Sequence, residues 1–193
     1  MKKINIAVVG LGQIGNYLLH ELNSKKKDIE LKTGKQINIV AISAKNKNKK
    51  RKYKINKKLF FKNPLDIFKF KKIDILFESI GLSGGISKKV VEKAIKNKVH
   101  VITPNKALIA KHGDYLSKLA EKHKVNLEFE ASVAGGIPIL RTIKEGLATN
   151  KIFKVYGILN GTCNYILSQM EKSNNQFKDV LKKAQKLGYA EPG

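Results

Sequence analysis

The sequence contains little cysteine and little arginine: Cys163 is the one thiol, and Arg51 and Arg141 are the two guanidinium groups among 193 residues. A single cysteine excludes an internal disulfide framework and a cysteine-based metal cluster, and it fits a reducing compartment. No apolar run approaches the ~20 residues of a membrane span, and the N-terminus has no signal-peptide pattern. We therefore expect a cytoplasmic protein that does not enter membranes.

The formal net charge of +24 raises the hypothesis of nucleic-acid binding, because basic surfaces attract phosphate backbones. Nearly all of this charge is lysine, whereas recognition of phosphates and bases favours the planar fork of arginine. The charge is also spread along the chain, apart from residues 45–58, where nine of fourteen are Lys or Arg. A nucleic-acid binder is kept as an alternative, and it would associate with DNA or RNA in a strongly salt-dependent way.

Short apolar runs alternate with helical patterns, which is typical of βαβ units and a parallel sheet covered on both faces. The predicted fold class is α/β, a Rossmann-type doubly wound sheet. The predicted strands are Ile4–Val9, Ile37–Ser43, Ile73–Ser79, Val99–Thr103 and Val125–Glu130. The predicted helices of this part are Gln13–Ser24, Ser87–Asn97 and Ala107–Lys122.

A glycine motif, Gly-Leu-Gly-Gln-Ile-Gly, follows the first apolar run directly and opens the first helical pattern. In a dinucleotide fold, the first glycine permits the turn, the second admits the pyrophosphate, and the third lets the helix pack closely. The N–H groups at the start of the helix then face the phosphates. The predicted cofactor-binding residues here are Gly10, Gly12, Gln13, Ile14 and Gly15; the alternative is an ordinary glycine-rich turn.

The end of the second strand indicates which nucleotide is bound. An NAD enzyme places Asp or Glu there to accept hydrogen bonds from the ribose 2′-hydroxyl. The chain instead reads Ser43-Ala44-Lys45, and the basic run begins at Lys45. We therefore favour NADP over NAD and assign Lys45 to the cofactor site, the alternative being a mobile, solvated lysine loop.

The pattern changes after Glu130, and we expect one domain over residues 1–130 and part of a second over 131–193. The second part is predicted to contain a turn at 135–138, a helix over Ile139–Leu147 and a strand over Ile152–Leu159. Two further helical patterns follow, and the last ends at Gly188, as a C-cap glycine would.

Four later segments resemble homoserine dehydrogenase. They begin at Thr103 (TPNKA), Glu130 (EASVAGGIP), Gly157 (GILNGTCNYIL) and Gly188 (GYAEP), and the resemblance runs the whole length of the chain. It implies reversible hydride transfer between NAD(P)H and L-aspartate 4-semialdehyde, giving L-homoserine for threonine, isoleucine and methionine. It also implies that residues 131–193 are the beginning of an α+β catalytic domain, and that the complete protein is a homodimer formed through that domain.

Lys106 follows a predicted strand and precedes an apolar helix, so position alone favours a functional role over one more exposed lysine. The resemblance makes Lys106 catalytic and places Asn105 and Lys106 at the cofactor. It makes Thr162, Tyr189 and Glu191 substrate-binding residues. It also implies a sodium or potassium site formed by Glu130, Val133, Gly135 and Ile137, which the sequence alone explains equally well as a glycine-rich turn.

Two residues near Thr162 have a plainer interpretation. Thr162 and Asn164 fall where a strand is predicted to give way to a helix, so N-capping is an alternative role for both. Cys163 invites a nucleophile hypothesis, but reduction of an aldehyde needs no covalent nucleophile. We expect Cys163 to be a small buried residue.

Family members continue from Glu-Pro into Asp-Pro and a helix that supplies a catalytic aspartate and a second lysine. Here Gly193 stands at the first of those positions and is the last residue. We therefore expect an incomplete chain that binds nucleotide with little or no turnover. A nucleotide-binding module without turnover is the main alternative.

Overall fold

The computed structural model describes residues 2–157, 161–187 and 189–190. The chain divides into two compact units, an N-terminal unit, Met1–Gly135, and a C-terminal unit, Gly136–Gly193. Within the described residues, no helix is both long enough and apolar enough to cross a membrane.

The N-terminal unit is built on a six-stranded sheet in which every pairing is parallel. The strands are β1 (Lys2–Val9), β2 (Lys35–Ser43), β3 (Phe60–Phe61), β4 (Ile75–Glu78), β5 (His100–Ile102) and β6 (Leu127–Glu128). Their order across the sheet is β3-β2-β1-β4-β5-β6, so the chain starts in the middle and builds outward on each side in turn. This is the doubly wound order of the Rossmann fold, which confirms the predicted class.

Six α-helices belong to this unit in the described residues: α1 (Gln13–Ser24), α2 (Lys26–Thr33), α3 (Ile67–Phe70), α4 (Ile86–Lys96), α5 (Lys106–His123) and α6 (Glu130–Val133). The three helices predicted from periodicity are confirmed, and α1 has the predicted bounds. Helix α2 was not predicted because it buries no residue, so it has no apolar stripe to detect. It ends at Gly34, whose left-handed φ of 65° closes the helix.

The core lies on both faces of the sheet. Side chains of β1 alternate between the two faces: Ala7 and Val9 pack with the buried residues of α4 and α5, and Ile6 and Val8 pack with Leu19 of α1. A sheet buried on both faces requires apolar residues at nearly every central position, which explains the continuous apolar runs in the sequence.

The last predicted strand of this sheet is too long. Val125–Glu130 was predicted, but only Leu127 and Glu128 pair with β5, and Glu130 begins α6. Strand β5 has only three residues, and two of them, Val101 and Ile102, pair with β6. Strand β6 therefore has little neighbouring backbone to pair with.

The described C-terminal unit consists of helices: α7 (Ile139–Arg141), a π-helical turn (Thr142–Gly146), α8 (Gly161–Ser173) and α9 (Phe177–Lys186). Helices α8 and α9 pack through Ile166, Val180 and Ala184. The two later helical predictions are confirmed, whereas the predicted terminator Gly188 lies outside the described residues.

The strand predicted over Ile152–Leu159 is wrong for its described part, since residues 151–157 contain no strand. The aromatic side chains of this segment are exposed rather than packed: Phe153 has 85% and Tyr156 has 86% of its surface exposed. Alternating apolar residues favour a β-strand, but a strand needs a neighbour to pair with. The described residues of this unit contain no such strand.

Candidate functional site

The glycine motif lies between β1 and α1 and is packed too tightly for larger residues at two positions. Gly10 has a φ of 92°, and a Cβ there would lie 2.3 Å from the carbonyl carbon of Ser79. A Cβ on Gly15 would lie 1.9 Å from the carbonyl oxygen of Gly10. The Ser79 hydroxyl donates to that same oxygen at 2.8 Å, so the ends of β1 and β4 and the start of α1 are held together.

Gly12 differs from the other two glycines because its surroundings are open. It is the N-cap of α1, with a φ of −72°, and no atom lies within 4 Å of the position a Cβ would take. No side chain caps α1, and no acidic residue stands in its first turn. Gln13 and Ile14 open the helix, so the N–H groups of its first turn face a space suited to an anion.

A cleft of about 920 Å³ opens in front of this motif, at the carboxyl ends of β1, β2 and β4. Its basic lining residues are Lys45, Lys49, Arg51 and Lys62, and none of the lining residues is acidic. Ligands of doubly wound sheets bind at this edge, where the strand order reverses. The predicted cofactor residues Gly10, Gly12 and Lys45 all line this cleft.

Ser43 ends β2 and also lines the cleft. Its side chain is buried, and its Oγ has no hydrogen-bond partner among the described residues. A buried hydroxyl without a partner is costly unless a ligand or water completes it. Ser43 therefore stands, as a neutral donor and acceptor, where an NAD enzyme would place a carboxylate.

The basic segment 45–58 is fixed to the glycine motif by two side chains that the sequence did not single out. The guanidinium of Arg51 donates to the carbonyl oxygens of Leu11 at 3.2 Å, Lys49 at 3.0 Å and Asn46 at 2.7 Å. Asn16 of α1 donates to Tyr53 O and accepts from Tyr53 N, both at 3.0 Å. One arginine within a lysine run was the available signal, because its five donors in a rigid planar fork can hold several carbonyls in a fixed geometry.

A second group of residues lies where β4 and β5 end. Glu78, the last residue of β4, is fully buried, and its carboxylate accepts from Thr103 Oγ at 2.7 Å and Ile80 N at 2.8 Å. The side-chain amide of Asn105 donates to both carboxylate oxygens at 3.4 Å. Sequence reasoning missed Glu78, although a carboxylate at the end of an apolar strand was a usable signal.

Asn105 is the N-cap of α5, and its Oδ1 accepts from Leu108 N at 3.1 Å. Lys106 follows as the first residue of α5, and its side chain is exposed. The buried group around Glu78 therefore determines where α5 begins and where the predicted catalytic lysine emerges.

The predicted cation-binding residues are divided between the two units. Glu130 and Val133 are the first and last residues of α6, Gly135 lies in the turn that follows, and Ile137 belongs to the C-terminal unit. The described residues contain no cluster of three or more His, Cys, Asp and Glu side chains that could hold a metal. The predicted set has one carboxylate and otherwise backbone carbonyls, and it stays a prediction.

Two of the three predicted substrate residues lie together in the C-terminal unit. The Thr162 hydroxyl donates to the carbonyl oxygen of Tyr189, and the Tyr189 ring lies 4.9 Å from the ring of Tyr165. The third, Glu191, lies outside the described residues. Thr162 and Asn164 are inside α8 rather than at its N-cap, so the capping alternative is wrong for both.

Cys163 is exposed, so the expectation of a buried residue is wrong. Helix α8 buries Ile166 against α9. Cys163 follows Thr162 by about 100° around the helix axis, which turns it away from the side that Thr162 presents to Tyr189.

Three features together define a dinucleotide-binding protein of the Rossmann class: the sheet order, the glycine motif between β1 and α1, and the cleft that has no acidic lining residue. Comparison with known families agrees: residues 10–130 match the family model described as "Homoserine dehydrogenase, NAD binding domain", and residues 138–193 match "Homoserine dehydrogenase". The chain belongs to the homoserine dehydrogenase family, and its N-terminal unit carries the family's NAD(P)-binding domain.

Individual relatives support the same assignment. The homoserine dehydrogenase of Neisseria gonorrhoeae is 42% identical over 191 residues, covering 99% of this chain and 43% of the relative. That of Bacillus subtilis is 37% identical over 193 residues, covering 99% and 44%. The crystal structure of a homoserine dehydrogenase from Thiobacillus denitrificans superposes with a TM-score of 0.82 at 39% identity, covering 100% of this chain and 44% of that one. The chain thus spans less than half the length of these relatives.

Proposed function

We propose that this chain carries the cofactor site and part of the substrate site of a homoserine dehydrogenase, which interconverts L-aspartate 4-semialdehyde and L-homoserine. The observation that carries the proposal is the glycine motif with a basic cleft in front of it, in a chain of this family. A Cβ on Gly10 or Gly15 would collide with neighbouring atoms, whereas the space at Gly12 is open, which is the arrangement that pyrophosphate binding requires.

The cofactor that the cleft favours is NADP. The N–H groups at Gln13 and Ile14 would bind the pyrophosphate, and Lys45 would pair with the 2′-phosphate of the adenosine ribose. Ser43 would hydrogen-bond the same ribose, since its hydroxyl is buried and has no partner in the described residues. A carboxylate in its place would repel a 2′-phosphate.

When bound, NADPH would supply a hydride for the aldehyde carbon, and the aldehyde oxygen would have to gain a proton as it becomes an alcohol. Lys106 would hold that oxygen by a hydrogen bond from its ammonium group and would relay the proton. Thr162 and Tyr189 would bind the polar end of the substrate, together with Glu191 on the substrate ammonium. We also propose that Glu130, Val133, Gly135 and Ile137 hold sodium or potassium, since oxygen ligands suit a hard cation.

Two further features belong to the proposal. The domain boundary is placed at residue 130, with a nucleotide-binding domain before it and part of the catalytic domain after it. The protein would act as a homodimer joined through the catalytic domain.

The experiment that tests the proposed activity follows NADPH absorbance while the purified 193-residue protein receives L-aspartate 4-semialdehyde. Oxidation of NADPH that depends on the semialdehyde would support the proposed activity and contradict the expectation of little or no turnover. Saturable NADPH binding without oxidation would support the proposed cofactor site and agree with that expectation. A folded protein that neither binds nor oxidises NADPH would contradict the proposal.

A further inference from the structure

The structure assigns a positioning role to Glu78: its buried carboxylate holds the backbone and the helix start that receive the nicotinamide half of the cofactor. This inference rests on the proposed function. It concerns three partners of Glu78, which are Ile80 in the loop after β4, Thr103 after β5, and Asn105 at the cap of α5.

The direction of each hydrogen bond in this group is determined by its neighbours. Asn105 Oδ1 accepts from Leu108 N, so its amide nitrogen must face Glu78 and the carbonyl oxygen of Leu82, to which it donates at 3.0 Å. Thr103 Oγ accepts from Asn105 N at 3.1 Å, which leaves its hydrogen for the Glu78 carboxylate. Both oxygens of Glu78 therefore act as acceptors.

The cost of burying this carboxylate indicates that its partners matter. A buried carboxylate normally has a cationic partner, whereas Glu78 forms no ion pair among the described residues and accepts from neutral donors. Such a group is maintained only if every acceptor site is well satisfied, which fixes the donors in return. These donors hold two structural elements in place: the loop from Ile80 to Leu82 and the start of α5.

These two elements lie where the nicotinamide half of the cofactor is expected. A doubly wound sheet binds one mononucleotide half on each side of its switch point, and the ribose of the adenosine half lies at the end of β2. The nicotinamide half therefore falls on the side of β4 and β5. Ile80 and Leu82 line the cleft, and Asn105 leads directly into Lys106.

Glu78→Gln is the direct test, because the amide has the same shape but cannot accept at both positions. Its NH2 group would face either the Ile80 N–H or the donors of Thr103 and Asn105. The measurement compares two ligands bound by the 193-residue protein, NADPH and 2′-phospho-ADP-ribose, which lacks the nicotinamide ring. A positioning role predicts that the NADPH Kd rises about tenfold, while the Kd of 2′-phospho-ADP-ribose stays within about twofold.

Two controls keep the result decisive. Glu92→Gln makes the same chemical change in α4, where the partly buried carboxylate pairs with Lys88 at 3.1 Å, and it should alter neither Kd. If Glu78→Gln does not fold, Thr103→Val removes one donor to Glu78 and should reproduce the selective loss, whereas Thr103→Ser retains the hydroxyl and should restore NADPH binding.

The possible outcomes separate this inference from the proposed function. Equal losses for both ligands, or an unchanged NADPH Kd in Glu78→Gln or Thr103→Val, would overturn the positioning role while leaving the proposed cofactor site intact. Failure of the unmodified, folded protein to bind NADPH would overturn both.

Discussion

At the scale of single residues, the three glycines of the motif make separable demands on the structure. A methyl group on Gly15 would overlap the backbone at Gly10, whereas one on Gly12 would enter open space at an allowed φ. We expect Gly15→Ala to lower the free energy of unfolding by about 3 kcal/mol or more, since overpacking against backbone has no cheap relief. Gly12→Ala should change stability by less than about 1 kcal/mol yet weaken NADPH binding at least about tenfold.

Chemical denaturation and an NADPH titration of both variants check this prediction. A Gly12→Ala protein that binds NADPH normally would show that the phosphates do not approach Gly12. A Gly15→Ala protein of normal stability would show that α1 does not pack on the glycine motif as the structure has it.

The roles of the glycines in the motif could be predicted from the sequence, because a glycine motif of this fixed spacing has one geometry. Glu78 and Arg51 could not be found in the same way. Their roles depend in part on partners 25 or more positions away, such as Thr103 for Glu78 and Leu11 for Arg51, and no local spacing encodes those contacts. Cys163 was misjudged for a related reason, since burial depends on where α9 packs.

At the scale of elements, the lysine-rich segment is held to the glycine motif by the side chains of Arg51 and Asn16. The arginine guanidinium binds the carbonyls of Leu11, Asn46 and Lys49, so it joins the segment to the glycine motif. We expect Arg51→Lys to lower NADPH affinity about three- to tenfold, because lysine keeps the charge but cannot reproduce the fork. Lys50→Gln removes a charge from the same segment and leaves the fork intact, so its effect should stay below about twofold.

Isothermal titration of NADPH into both variants distinguishes geometry from charge. If Lys50→Gln weakened binding as much as Arg51→Lys, net charge rather than the arginine contacts would control the site. If Arg51→Lys bound NADPH normally, the segment would not need its anchor.

Strands and helices with a buried face could be predicted, and elements without one could not. Helix α1 was predicted to the residue because it has an apolar face and a glycine at its start, whereas α2 buries nothing and left no pattern. The error at residues 152–157 has the opposite cause, since a pattern typical of a strand has no described partner strand. Local sequence expresses a preference, and pairing decides whether it is met.

At the scale of the whole molecule, the fold and the family were predicted from different features of the sequence, and the two predictions agree. The fold follows from alternating apolar runs and helices, while the family follows from short polar segments near strand and helix ends. All the residues that line the cleft, from Val9 to Ile86, belong to the N-terminal unit, so nucleotide binding to the cleft can be measured on this chain directly.

The measurement that tests the central claim most directly is a titration of the folded 193-residue protein with NADPH and, in parallel, with NADH. The account predicts saturable binding of both, with NADPH bound more tightly and the difference shrinking as salt screens the contact between Lys45 and the 2′-phosphate. Absence of binding to either nucleotide in a protein shown to be folded would contradict the assignment of this cleft as a dinucleotide site.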